Sequence, residues 1–199
     1  FKLRIHHDGP DLNWFREYVS PEGGDCYCGA GLTDWRGHLI MLGREERSGE
    51  NEFLFLRYDS TGTLLKDLKQ GTGERKLFPV QGESTKDHRF KALCRYEEGT
   101  EKGVLTFCLD EEGNIQESLE LSGHWEEEGY LKMFQSSEED IFIAGQSGEK
   151  ARVAKVSSLG AEMWSKEYDM SGKDSLTDAR MDSFGNLYLL LNGEIGEKK

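Results

Sequence analysis

The fold of this chain is indicated by residues 151–192, which read ARVAKVSSLGAEMWSKEYDMSGKDSLTDARMDSFGNLYLLLN. Short runs of aliphatic, β-branched and aromatic residues alternate there with segments that contain glycine, at 157–160 and 182–186. Such runs, joined by a few residues that include glycine, are typical of β-hairpins, because glycine readily adopts the positive φ that the turns require. The stretch therefore predicts two consecutive hairpins.

The same kind of turn returns at a regular spacing along the chain. An aspartate followed three residues later by glycine stands at Asp34, Asp59 and Asp110, next to apolar runs. An aspartate at this position caps the backbone of the turn through its side chain. The segment WFREY at 14–18 also matches WSKEY at 164–168, which is an offset of three periods of about 50 residues. Two hairpins in each period of about 50 residues predict one four-stranded propeller blade.

The predicted strands, labelled A to D within each blade, divide the chain into three complete blades and two halves. Residues 1–6 and 12–18 are strands C and D, and residues 175–182 and 186–192 are strands A and B. Pro79 lies inside a predicted strand and indicates a bulge or an irregular strand, because proline cannot donate to a ladder. The charged segment 44–52 is expected to be a solvated loop. The complete blades are predicted at 26–34, 38–43, 53–59 and 63–69; at 77–84, 89–96, 103–110 and 114–121; and at 130–136, 140–146, 151–157 and 161–169.

The order of the strands at the two ends predicts how the fold closes. If residues 1–18 share a sheet with residues 175–192, the two halves make a fourth blade and leave no open sheet edge there. We therefore expect an all-β protein that forms a single domain over residues 1–199, a four-bladed propeller closed by its two ends. The alternatives are a segment of a larger ring and one half of a ring built from two chains, which would be a homodimer.

The last repeat resembles a known family. The segments YDMSGKD at 168–174 and DSFGNLY at 182–188 resemble the bacterial β-propeller repeat of the SBBP type, which carries a glycine-rich segment ending in aspartate and then a Asp-x-x-Gly-Asn turn. The resemblance covers 151–192 well, 1–62 moderately and 70–135 poorly. It implies a propeller fold and an extracellular or cell-surface location, while a cytoplasmic location stays open. It implies no catalytic residue, because the motif specifies blades.

The composition narrows the classes of partner. The chain has 199 residues and a formal net charge of −13. No basic patch is present to neutralise phosphates, which argues against nucleic acid and anionic membrane surfaces as partners. No apolar run approaches the roughly 20 residues of a membrane span, so we expect no membrane insertion.

The four cysteines predict neither a cofactor nor a metal site. Cys94 and Cys108 are predicted on consecutive strands, where two buried thiols are preferred to a cross-strand disulfide. Cys26 and Cys28 supply only two thiolates, too few for a structural zinc site without further ligands. We interpret them as small residues on one side of a strand.

The predicted connectors from strand D to the next strand A contain the candidate ligand-binding residues. Loops held by a rigid scaffold often carry binding residues, and in a propeller these connectors share one face. An exposed Trp125 could stack on a sugar ring or anchor a protein; the alternative is that it packs as an ordinary core aromatic. The connectors are 19–25, 70–76, 122–129 and 170–174, and the candidates are Arg75, His124, Trp125, Glu126 and Asp174.

Two classes of function fit this prediction. No common catalytic motif, such as GxSxG, HExxH or GxxxxGK, occurs in the sequence. We therefore expect a non-catalytic binding module that recognises a protein or a glycan through the loop face. The alternative is a carbohydrate-active enzyme with paired carboxylates at the mouth of the channel.

Overall fold

The computed structural model describes residues 3–9, 12–126, 129–136, 138–157, 161–169 and 175–192, and for residues 3–16 only the backbone. This part of the chain contains sixteen strands and no helix, which confirms the all-β prediction. No helical segment long and apolar enough to cross a membrane occurs in these ranges. The strands are β1 (Leu3–Gly9), β2 (Leu12–Tyr18), β3 (Asp25–Thr33), β4 (Leu39–Arg47), β5 (Glu50–Tyr58), β6 (Leu64–Gly71), β7 (Lys76–Ser84), β8 (Phe90–Glu98), β9 (Glu101–Leu109), β10 (Ile115–Glu120), β11 (Leu131–Gln135), β12 (Ile141–Ser147), β13 (Lys150–Val156), β14 (Glu162–Tyr168), β15 (Ser175–Met181) and β16 (Leu187–Asn192).

The strands pair in the order that the repeat predicts. Three four-stranded sheets are formed by β3 to β6, β7 to β10 and β11 to β14, each with sequential strands as neighbours. The first and last hairpins, β1–β2 and β15–β16, are two-stranded sheets. Repeated four-stranded antiparallel sheets are compatible with propeller blades. These sheets do not show a closed ring, so the closure stays a prediction, as does the single domain.

The predicted aspartate turns are present and share one geometry. In each, the aspartate Oδ1 accepts the backbone N–H groups two and four residues later, at 2.8–3.0 Å. The glycine that follows has a φ of 77° to 89°. Because this backbone region strongly favours glycine, an aspartate with a glycine three residues later predicts the turn from the sequence alone. The turns begin at Asp34, Asp59, Asp110 and Asp182.

Bulges recur at equivalent strands of the repeat. A register shift lies at Gly29 in β3, at Val80 in β7 and at Thr177 in β15. The bulged strand anticipated at Pro79 is thus confirmed. A side chain on Gly29 would overlap the carbonyl oxygen of Pro79, so only glycine allows this close approach of β3 and β7.

The solvated loop predicted at residues 44–52 is wrong. β4 continues to Arg47 and β5 begins at Glu50, with a two-residue turn at Ser48 and Gly49. Both turn residues have positive φ, 52° and 87°, which is the geometry that suits a tight hairpin. The charged residues remain in the ladder because their charges are paired, and Glu45 is buried there.

The contacts divide the chain into two units, which are residues 1–102 with 107–117 and residues 103–106 with 118–199. One core cluster of the first unit contains Tyr18, Cys26, Leu54, Leu56 and Tyr58. Cys94 and Cys108 are also buried, as free thiols. A core cluster of the second unit contains Ala144, Ala151, Val153, Leu176 and Ala179.

The run at 187–191 is apolar on both faces, which predicts a strand buried between two layers, but the structure covers only one face of β16. Leu187, Leu189 and Leu191 pack against the core of the second unit. Tyr188 and Leu190, which point the other way in the strand, are exposed. Among the described residues no layer covers this second face, and along its edges β16 pairs only with β15.

Candidate functional site

A cleft of about 480 Å³ lies in the first unit, next to the end of β2. This volume falls in the range of roughly 300–1,000 Å³ that is usual for small ligand sites. Three segments form its wall: the end of β2 with the connector that follows it, the end of β5, and the turn into β6. The lining residues are Glu17, Tyr18, Val19, Pro21, Tyr58, Gly62, Thr63, Leu64 and Asp67.

Aliphatic side chains and carboxylates meet in this cleft. Val19 is 51% exposed and Leu64 is 42% exposed. Tyr18 and Tyr58 are only 4% and 3% exposed, because both belong to the core cluster of the first unit. The Tyr18 hydroxyl donates to Asp67 Oδ2 at 2.7 Å, which joins the cleft to the core.

A network of buried polar side chains lies next to the cleft and consists of Ser20, Cys26, Glu45 and Lys69, here called the Glu45 network. Ser20 Oγ donates to Glu45 Oε1 at 2.5 Å. The Lys69 ammonium lies 2.9 Å from Glu45 Oε2 and 3.2 Å from Ser20 Oγ. The Cys26 thiol lies 3.7 Å from Glu45 Oε2, opposite Glu45 in the ladder. The buried carboxylate is therefore surrounded by donors.

The surroundings fix the protonation states of this network. Burial acts to raise the pKa of Glu45, but hydrogen bonds from Ser20 and Lys69 outweigh it, so the pKa lies below its ordinary value. Burial acts to lower the pKa of Lys69, but the bond to Glu45 outweighs it and the pKa is raised. Burial, followed by the charge of Glu45, raises the pKa of Cys26 to about 11. At neutral pH the network holds a carboxylate, an ammonium and a thiol.

These states decide what the network does chemically. A lysine acts as a general base only when it is neutral, and a cysteine attacks only as its thiolate. Neither form is present near neutral pH, because Glu45 keeps Lys69 protonated and disfavours ionisation of Cys26. The network instead fixes the wall of the cleft. Ser20 binds Glu45 and also accepts the backbone N–H of Glu22, so it holds the connector that carries Val19.

A glycine marks the tight packing around the buried carboxylate. A Cβ on Gly24 would lie against Oε1 and Cγ of Glu45. Because those atoms are held by Ser20 and Lys69, they have little freedom to move aside. The position of Gly24 therefore has no room for a side chain, which would displace the Glu45 network.

Arg75 lies in the first unit and is already engaged. Its Nε and Nη2 atoms both donate to Glu98 Oε2, at 2.8 and 2.6 Å. The guanidinium also stacks over the Tyr96 ring, 4.3 Å from its centre. These contacts orient the side chain within its own unit, and the cleft is not lined by it.

The exposure assumed for Trp125 is not present. The ring is 4% exposed, its Nε1 donates to the Ser122 carbonyl at 3.2 Å, and the Arg152 guanidinium lies 5.3 Å from its centre. A Cβ on Gly145 would come within 2.9 Å of the ring, so the indole packs closely against β12. The ring has no free face for a ligand, which matches the alternative of an ordinary core aromatic.

His124 and Glu126 are brought together in the second unit. His124 Nε2 lies 3.3 Å from Glu126 Oε1, which also accepts the backbone N–H of Gly148 at 3.0 Å. The glutamate thereby ties the connector to the β12–β13 turn. Asp174 lies outside the described residues. No group of three or more histidine, cysteine, aspartate or glutamate side chains that could hold a metal occurs in the part of the chain that is described.

The buried carboxylate beside the cleft was not predicted, because the segment 44–52 reads as a charged, solvated loop. Strand periodicity nevertheless places Leu39, Met41 and Glu45 on one face, and the first two of these pack against the core. An acid that continues an inward-facing row was the available signal for a buried charge.

The comparisons with known proteins assign no family to the chain. No family model and no curated protein matches it. Among solved structures it is similar to a protein of unknown function from Bacteroides caccae, with 11% identity, a TM-score of 0.48, and coverage of 86% of this chain and 55% of that one. It is also similar to a protein from Lactobacillus plantarum, with 9% identity, a TM-score of 0.47, and coverage of 94% and 61%. The chain thus spans less than two thirds of the length of either structure, and similarity at these scores supports no statement about function.

Proposed function

We propose that this protein is a non-catalytic binding module, and that the cleft between the end of β2 and the turn into β6 is its binding site. The observation that carries the proposal is the pair of half-exposed aliphatic side chains, Val19 and Leu64, beside the Asp67 carboxylate. Concave sites with apolar walls and a few placed polar groups are the usual form of a ligand site. The ligand class is a protein or a glycan.

The buried Glu45 network supports binding rather than catalysis. Ser20 links this network to the connector after β2, because its hydroxyl donates to Glu45 and accepts the backbone N–H of Glu22. A wall fixed by buried hydrogen bonds needs little ordering when a ligand arrives, which favours affinity. The same network keeps Lys69 and Cys26 in forms that neither abstract a proton nor attack a substrate.

The proposal includes a closed four-bladed ring in which β1–β2 and β15–β16 share one sheet. The repeat supports it, because β16 corresponds to β4, β8 and β12, each of which pairs on both sides. Among the described strands β16 pairs only with β15, so its other edge is open. In each complete sheet the second strand pairs with the third strand of the same repeat. The repeat predicts that β1 is such a third strand, so β1 is the expected partner for the open edge of β16.

Binding in the cleft is tested with glycan and peptide arrays. The labelled wild-type protein is compared with Leu64→Asp, which places a charge in the apolar wall. We expect signals that drop at least tenfold in this variant, since losing one central apolar contact typically costs about 1–3 kcal/mol.

The matched control is Met163→Asp, which places the same charge at an exposed apolar side chain of β14, outside the cleft. Signals that survive Leu64→Asp, or that fall equally in both variants, contradict the site. Turnover of a polysaccharide that disappears in Asp67→Asn contradicts the absence of catalysis.

A further inference from the structure

We infer that the cleft accepts a peptide segment in which a lysine or arginine side chain neighbours an aliphatic one. This inference rests on the proposed binding function and specifies its ligand. The groups that carry it are Asp67, Val19 and Leu64, with Tyr18 and Tyr58 as the floor of the cleft.

Asp67 supplies the position for a cation. Its Oδ2 accepts the Tyr18 hydroxyl at 2.7 Å. One cation that acts on it is Lys69, whose pKa the Asp67 charge helps to raise, but the Lys69 ammonium is paired with Glu45 at 2.9 Å. Burial, and then the hydrogen bond to Asp67, raises the pKa of Tyr18, so the hydroxyl stays a donor that orients the carboxylate. An oriented carboxylate with one oxygen still open is suited to a charge-assisted hydrogen bond from lysine or arginine.

Val19 and Leu64 supply the position for an aliphatic side chain. Both line the cleft and stand about half exposed, and Leu65 beside them is 49% exposed. Leu65 projects outward because it is the extra residue of a bulge, where Arg57 pairs with Lys66 and Tyr58 with Leu64. Neighbouring exposed aliphatic groups at the edge of a cavity are typical of an interaction surface.

The burial of the tyrosines argues for a peptide rather than a glycan. A sugar ring is usually held by stacking on an exposed aromatic face. Neither Tyr18 nor Tyr58 offers such a face, because both rings are almost fully buried in the core. The net charge of −13 acts in the same direction, since it steers cationic segments toward the protein and disfavours anionic ones.

The inference is tested with three fluorescein-labelled peptides of equal length, LKLKLK, LELELE and SKSKSK, by fluorescence polarisation on the full chain. We expect LKLKLK to bind at least tenfold more tightly than either of the others. Asp67→Asn should weaken it about tenfold, and Leu64→Ser should weaken it similarly. Raising the ionic strength to about 0.5 M should also weaken it, because salt screens exposed charges.

The controls distinguish binding in the cleft from nonspecific binding through net charge or exposed apolar surface. Glu117→Gln removes the same charge from an exposed position of β10 outside the cleft, and Met163→Ser removes an exposed apolar side chain of β14. Both should retain wild-type affinity within about twofold. Equal losses in Asp67→Asn and Glu117→Gln would show that only net charge matters and would overturn the inference.

Failure of the inference is distinguishable from failure of the proposed function. Preference for LELELE, or an array glycan whose signal is lost in Leu64→Asp, would overturn the ligand class and leave the cleft as a binding site. If no peptide or glycan signal depends on Leu64, the binding function fails together with the inference. Circular dichroism of each variant confirms that the all-β fold is retained.

Discussion

Single residues decide the chemistry of this protein through burial, and Glu45 is the clearest case. Its carboxylate is 1% exposed and remains charged because Ser20 and Lys69 both bond to it. Breaking a buried ion pair by removing one partner typically costs about 3–5 kcal/mol, because the other charge is left unpaired. Glu45 therefore stabilises the wall of the cleft, and its removal should lower the free energy of unfolding of the first unit.

We predict that Glu45→Gln lowers the free energy of unfolding at pH 7 by about 3 kcal/mol or more, measured by urea denaturation. The pKa of Glu45 is lowered on folding, so its contribution is present above the ordinary carboxyl value of about 4.3 and is lost as the pH falls through the lowered value. The difference between wild type and variant should shrink in that acid range.

A solvent-exposed ion pair provides the comparison. Arg36 and Glu111 are paired at 3.3 Å, with side chains 54% and 44% exposed. Arg36→Ala should therefore cost less than about 1 kcal/mol, since exposed pairs contribute little. A loss in Glu45→Gln no larger than in Arg36→Ala would contradict the structural role of the buried pair.

At the scale of the elements, the four aspartate turns have two counterparts in which another residue stands in place of the glycine. Four turns place glycine in the left-handed region, whereas His88 and Glu139 occupy the same region with φ of 66°. A non-glycine residue there is strained by about 1–2 kcal/mol. For His88 the structure offers an offsetting contact, since its imidazole stacks on Trp35 at 4.4 Å with an angle of 11° between the rings.

We predict that Glu139→Gly raises the free energy of unfolding by up to about 1 kcal/mol, because relief of strain exceeds the added freedom of the unfolded chain. His88→Gly should gain less, since it removes the stack on Trp35. Gly185→Ala is the reverse control: its Cβ would meet nothing within 4 Å, so the expected loss of about 1–2 kcal/mol is purely conformational. Thermal unfolding of the three variants checks the order, and a destabilised Glu139→Gly contradicts it.

At the scale of the whole molecule, the proposed closure predicts that β16 is protected on both edges. Hydrogen exchange followed by mass spectrometry should show slow exchange along β16, because a strand paired on one side leaves about half of its amides open. Removing residues 1–11 deletes β1 but keeps Tyr18 in the core of the first unit. We expect the amides of β16 to lose protection in this shortened chain.

The mass of the protein in solution distinguishes the forms of closure. Protection of β16 in a monomer supports a ring closed within one chain, whereas the same protection at twice the mass supports a ring of two chains. Unchanged exchange of β16 after the loss of β1 would contradict both. In that case the shortened chain should aggregate no more than the full one, because Tyr188 and Leu190 would be equally exposed in both.

The sequence by itself determined most of the strands, their order and the aspartate turns, although it misplaced the ends of β4 and β5. The aspartate and glycine of each turn, the apolar runs beside them and the irregularity at Pro79 all act within about ten residues, and such local chemistry is readable without the fold. The resemblance to the SBBP repeat stays a prediction. The order of strands within the three complete sheets was correct for the same local reason.

The tertiary structure alone decided which side chains are buried and where a cleft forms. Trp125 looked available for a ligand and is covered, because Gly145 leaves room for its ring. Glu45 looked solvated and is buried, because Ser20, 25 residues before it, donates a hydrogen bond to it and Lys69, 24 residues after it, neutralises its charge. The cleft joins the end of β2 to Asp67, which lies 49 residues after Tyr18. A pattern with a short period describes one strand at a time, whereas burial and cavities depend on which strands the fold brings together.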